Sequence, residues 1–114
     1  LHAFYNVCRH RGAEVVVGQG NIERFSCPYH GWLFDLEGKF LGAPFAKEAQ
    51  NLNRSQCNLK SIKIDNWGGF IFINFDTESC SLYDFLGPIS CAAEMFKAED
   101  CRLCDKVVIE IECN

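Results

Sequence analysis

The chain has 114 residues, 48% of them hydrophobic and 23% charged, a composition that excludes a disordered chain and leaves room for one domain of modest core. Its 15 acidic and 11 basic side chains give a net charge of −4, and with no run of four basic residues it offers nucleic-acid backbones no binding stripe. No apolar run approaches the roughly 18 residues a membrane span needs.

In chain order the pattern is mostly β. Leu1, Ala3 and Tyr5 alternate with His2, Phe4 and Asn6, the period of a strand. Residues 14–17, with three β-branched valines, predict a second strand, Gly18 to Asn21 supply turn chemistry, and residues 22–26 return. Residues 32–36 and 39–41 predict a hairpin turning at Glu37 and Gly38. Residues 43–61 read as a long connection with a short helical turn near 47–50. Residues 62–64 and 70–75 form the next strand pair. The second of these is apolar on both faces up to Asn74, which predicts a central strand covered from both sides. Ser81 with Asp84 three positions on is an N-cap signature. It predicts a short helix through Leu86, a break at Gly87 and Pro88, and a second helix over 90–98. A last strand is expected from Lys106, where Val107, Ile109, Ile111 and Cys113 alternate with Val108, Glu110 and Glu112. Strand-like alternation at both extremes leads us to expect a portion of a longer polypeptide.

The chemistry is concentrated in two short stretches. Eight cysteines in 114 residues are a lower density than a small disulfide scaffold carries. Two of them, Cys8 and Cys27, have a histidine within three residues, as C-x-H (Cys8, Arg9, His10) and C-x-x-H (Cys27, Pro28, Tyr29, His30). Each pair supplies a soft thiolate and an imidazole at a turn, so two loops at one end of neighbouring hairpins can close on one centre. Cys₂His₂ ligation suits either a zinc ion or a two-iron cluster. Zinc fingers pair like with like at wider spacings. Mixed pairs suit a [2Fe–2S] centre better, one iron taking the two thiolates and the other the two imidazoles.

The run NVCRHRG followed by FSCPYHGWLFDLEGKF resembles the Rieske domain in the large (α) subunit of the aromatic-ring-hydroxylating oxygenases, the Rieske non-haem iron oxygenases. Trp67, Gly68 and the strand to Asp76 resemble later strands of that domain, and residues 109–114 resemble the lead into the catalytic domain. The resemblance implies a mainly β, Rieske-type fold: an antiparallel β-sandwich with a cluster-binding subdomain of two hairpin loops and short helical segments near 81–98. The iron–sulfur domain would span 1–80, with its cluster-binding part at about 5–45. Residues 81–114 would connect toward a catalytic domain. Cys8 and Cys27 would hold the inner iron and His10 and His30 the outer one. Arg11, Gly12, Pro28, Tyr29, Gly31 and Trp32 would surround the cluster, the glycines admitting backbone amides to the sulfides and Trp32 shielding one side.

The implied role is electron transfer from a ferredoxin or reductase to a mononuclear Fe(II) in a neighbouring α subunit of a homotrimer or α₃β₃ oxygenase, in a cytoplasmic setting. Arg9 and Arg11 are the positive spots for such a partner. A stand-alone Rieske-type ferredoxin and a structural zinc domain are the alternatives. Respiratory Rieske proteins carry a disulfide and Ser and Tyr hydroxyl donors at positions that are here Arg11, Ala13, Tyr29, Trp32 and Phe34. Fewer donors disfavour reduction, so the potential is expected nearer ~−150 mV than ~+300 mV. His2 reads as structural, and the Cys101/Cys104 pair as incidental.

Overall fold

The computed structural model describes residues 1–44 and 52–113. Two three-stranded sheets carry the fold. One has the order β1–β5–β6, built from Ala3–Phe4, Ser61–Trp67 and Phe70–Asn74. The other runs β2–β3–β4, from Phe25–Ser26, Leu33–Phe34 and Phe40–Gly42. β1 pairs antiparallel with β5, Ala3 opposite Ile62, and β2 and β4 flank β3 antiparallel, with a register shift between Leu33 and Phe34. Two five-residue helices follow, α1 (Leu82–Leu86) and α2 (Pro88–Ala92). The mainly β antiparallel fold with few short helices agrees with the expected class.

The chain divides into two compact units, Leu1–Asp65 with Ile73–Ser79, and Asn66–Phe72 with Cys80–Asn114. The first holds the core: Cys8, Val15, Cys27, Phe34, Phe40, Cys57 and Leu59 are buried, and Phe4, Phe25 and Trp32 pack against them. Phe4 of β1 meets Phe25 of β2 edge-on at 6.4 Å between centroids. The β3–β4 turn is built by Asp35, whose carboxylate accepts from the backbone N–H groups of Glu37 (2.9 Å) and Lys39 (2.8 Å). Gly38 closes it at φ +77°, and a Cβ there would stand 2.6 Å from Phe4 Cε1. Gly38→Ala is therefore expected to cost about 2–4 kcal/mol, from left-handed backbone strain plus overpacking, read as a lower urea midpoint at unchanged m-value.

In the second unit, Trp67 Nε1 donates to the Ser90 carbonyl at 3.3 Å, and Ser90 Oγ donates to the Gly87 carbonyl at 2.7 Å. Ser81 caps α1 as expected, its Oγ accepting from Asp84 N at 3.1 Å.

Several expectations are corrected. Residues 14–17 form no strand; their backbone polar groups bond a side chain instead of a ladder, as described below. α2 begins at Pro88 rather than Ser90, because proline lacks only an N–H that the first helical turn leaves unpaired anyway. It ends at Ala92. Two 3₁₀ turns, Glu94–Phe96 and Ala98–Asp100, follow around Lys97 at φ 44°. β6 lies at the edge of its three-stranded sheet, with Phe70, Ile71 and Ile73 more than half exposed, not centrally. Residues 106–113 form no strand, since a strand needs a paired neighbour and none is found among the described residues. The helical turn expected near 47–50 lies outside the described residues.

Candidate metal centre

The two Cys/His loops share one backbone frame. In the first, Cys8 N donates to the Ala13 carbonyl (2.8 Å) and Gly12 N to the Cys8 carbonyl (2.9 Å). In the second, Cys27 N donates to the Trp32 carbonyl (2.8 Å) and Gly31 N to the Cys27 carbonyl (3.0 Å). Each is thus a five-residue turn opened by cysteine and closed by a glycine four positions on, although the histidine stands third in one and fourth in the other. Gly12 and Gly31 take φ +73° and +66°, which the closing bond requires and which a side chain resists. At Gly31 a Cβ would also press Pro44 Cγ at 3.0 Å.

A residue that sequence reasoning missed staples the first loop. Asn6 Oδ1 accepts from the backbone N–H groups of Val15 (3.0 Å) and Val16 (2.9 Å). Its Nδ2 donates to the Val16 carbonyl (2.6 Å) and to Glu14 Oε1 (3.1 Å). One amide thereby replaces the strand partner that residues 14–17 lack. The available signal was an asparagine between a strand and a ligand loop, where amide side chains commonly bond backbone. Asn6→Ala is expected to cost about 2–3 kcal/mol, by leaving the N–H of buried Val15 and that of Val16 without their acceptor. It should also speed loss of any bound metal to a chelator, with the urea midpoint and the bleaching rate as the measurements.

The four donors separate by chemistry. Cys8 and Cys27 are each 3% exposed, whereas His10 and His30 lie on the surface. The histidine rings adjoin at 4.7 Å between centroids, inclined at 68°. Burial pushes the Cys8 thiol pKa up, and the Cys27 sulfur beside it pushes the same way, against the backbone N–H groups of His10 and Arg11. A thiol so placed ionises readily only where a cation offsets its charge. The His10 imidazole is made less basic, first by desolvation and then by the charges of His30 and Arg11. A tetrahedral zinc ion would draw all four donors about one point. A sulfur pair within and an imidazole pair without fit a two-iron centre.

Of the surrounding residues, Trp32 lies flat against His10, 5.0 Å between centroids at 3°, and Tyr29 stacks on His30 at 3.9 Å and 29°. Arg9, Arg11 and Pro28 are exposed on the loops, and neither arginine forms an ion pair among the described residues. His2 stacks on Phe4 at 6.1 Å, not on either loop. Cys101 and Cys104 are exposed, free thiols donating to the carbonyls of Lys97 and Arg102.

Comparison with known proteins gives a consistent picture. Residues 1–63 match the model of the Rieske [2Fe-2S] domain. The chloroplastic choline monooxygenase of Beta vulgaris is 45% identical over 76 residues, 67% of this chain and 17% of that protein. The large oxygenase component of the naphthalene 1,2-dioxygenase system of Pseudomonas fluorescens is 43% identical over 91 residues, 76% and 20% of the two chains. The solved structure of a quaternary ammonium Rieske monooxygenase, reported with insights into carnitine oxidation and inter-subunit electron transfer, superposes with a TM-score of 0.77 at 32% identity over 82% of this chain and 26% of its own. The chain spans about a fifth of the length of the curated relatives it matches. These relatives include monooxygenases, so they are broader than the aromatic-ring dioxygenases alone.

Proposed function

Because the chain belongs to the Rieske [2Fe-2S] domain family, we propose that it carries electrons through a [2Fe–2S] cluster held by Cys8, Cys27, His10 and His30. The observation that carries this reading is the sorting of the donors, both sulfurs buried and both imidazoles at the surface. When bound, such a cluster supplies a one-electron carrier. Cys8 and Cys27 exclude water from the sulfur side. His10 and His30 bring the metal edge to the surface, where a partner can approach it. Gly12 and Gly31 hold both loops in the conformation that turns cysteine inward and histidine outward.

The finer reading places residues 1–80 as the electron-transfer part and 81–114 as a connection. A ferredoxin or reductase acts as donor, and a mononuclear non-haem iron in a neighbouring oxygenase subunit as acceptor. Arg9 and Arg11 support a partner surface rich in carboxylates, since the loop tips at 8–12 and 27–31 carry no acidic residue and opposite charge speeds encounter.

The test is reconstitution of the chain with ferrous iron and sulfide. The expected product has two irons and two sulfides per chain, a visible absorbance band, and reversible one-electron reduction near ~−150 mV. One zinc per chain without sulfide would overturn the reading, and a midpoint above about 0 mV would overturn the expectation of a low potential.

A further inference from the structure

We propose that Trp32 and Tyr29 are positioning residues that set the planes of the two imidazoles by ring stacking, and that they set them unequally, anchoring His10 to the core and leaving His30 adjustable. The inference rests on the reading of His10 and His30 as iron ligands. A ring nitrogen binds a metal along its lone pair, which lies in the plane of the imidazole, so ring orientation decides the bond. Histidine ligands are ordinarily oriented by a hydrogen bond to the other ring nitrogen. Here the contacts on the two imidazole faces and edges are aromatic: Trp32 on His10, Tyr29 on His30, and the two imidazoles on each other.

The two faces differ in what stands behind them. His10 and Trp32 come from different loops, 22 positions apart, and lie within 3° of parallel at 5.0 Å. Trp32 is half-buried and packs on Phe40 at 4.5 Å and on Phe34 at 6.4 Å. Those rings are 5% and 0% exposed, so the His10 stack is rooted in the core. His30 stacks on its own chain neighbour, Tyr29, at 3.9 Å and 29°, and reaches the core-anchored ring of His10 only edge-on, at 4.7 Å and 68°. Tyr29 is 60% exposed, and His30 is its one ring contact among the described residues.

The experiment reads each histidine separately, before and after cluster loading. In the metal-free chain, the His10 ring protons are expected shifted upfield by the indole, and the His10 ring to be more ordered than that of His30 by NMR relaxation. Trp32→Leu should abolish the indole shift at His10 and move His30 much less, Tyr29→Leu should affect His30 much more than His10, and Trp32→Phe should keep His10 ordered. After loading with iron and sulfide and one-electron reduction with dithionite, pulsed EPR of the ¹⁵N-histidine-labelled protein should show one of two nitrogen couplings broadened in Trp32→Leu and restored in Trp32→Phe. The proposal is overturned if Trp32→Leu leaves His10 unmoved or disturbs both histidines alike, if a folded Trp32→Phe loses the ordering of His10, or if the two rings are equally ordered in the unmodified chain. Failure of the unmodified chain to take up iron would sink the ligand reading while the ring shifts still report on the stacking.

Discussion

Cys8→Ser is expected to leave the reconstituted chain with background iron, no labile sulfide and no visible absorbance, while the metal-free protein keeps its fold. Serine is nearly the size of cysteine, so the 3%-exposed site is refilled with little void. Its hydroxyl lacks a thiolate's softness and does not ionise near neutral pH, and soft ligands are what iron–sulfur centres select. With Cys8 gone, Cys27 alone cannot hold the inner iron, and uptake should fall to zero rather than by half. The apo stability cost should be about 1–2 kcal/mol, from burying a hydroxyl. Iron and sulfide analysis beside a thermal melt separates the two effects. Two irons per chain in Cys8→Ser would remove Cys8 from the ligand set.

The second large effect is on potential. His30→Cys adds a thiolate and its negative charge to the outer iron, which stabilises the oxidised state. An all-cysteine [2Fe–2S] site of the plant-ferredoxin type lies at ~−400 mV, whereas Rieske centres begin at ~−150 mV. The variant should keep some iron and fall between these values. A drop of ~250 mV, at ~59 mV per decade for one electron, would be about four orders of magnitude in the equilibrium with a given donor. His2→Ala is the control: His2 stacks on Phe4 and touches neither loop, so the midpoint should not move. An unchanged midpoint in His30→Cys would exclude His30 as a ligand.

Much of the candidate centre was legible in the residues themselves. The donor types and their spacing are local properties, and C-x-H with C-x-x-H already disfavoured a single zinc. The β3–β4 hairpin was also legible, because Asp35 and Gly38 act within five residues. The N-cap at Ser81 was legible for the same reason. The errors fell where the outcome depended on a distant partner. Residues 14–17 have strand propensity, yet the bonds they make go to the Asn6 side chain, eight to ten positions earlier. The apolar character of β6 predicted cover on both faces, but in the described sheet β5 is its one neighbour. Residues 106–113 alternate as a strand does, and alternation alone creates no ladder.

The amino-acid sequence by itself determined which atoms are available for ligation, two sulfurs and two imidazoles, and that each pair sits on a tight glycine-closed turn. Spacing of a few residues is enough for that, because it is set by backbone dihedrals and side-chain chemistry alone. Only the tertiary structure decided that the sulfurs lie inward and the imidazoles outward, that an asparagine amide closes the first loop, and that Trp32 of one loop supports His10 of the other. Those outcomes come from packing between segments far apart in the chain, where burial and ring stacking act on whichever surfaces the fold brings together.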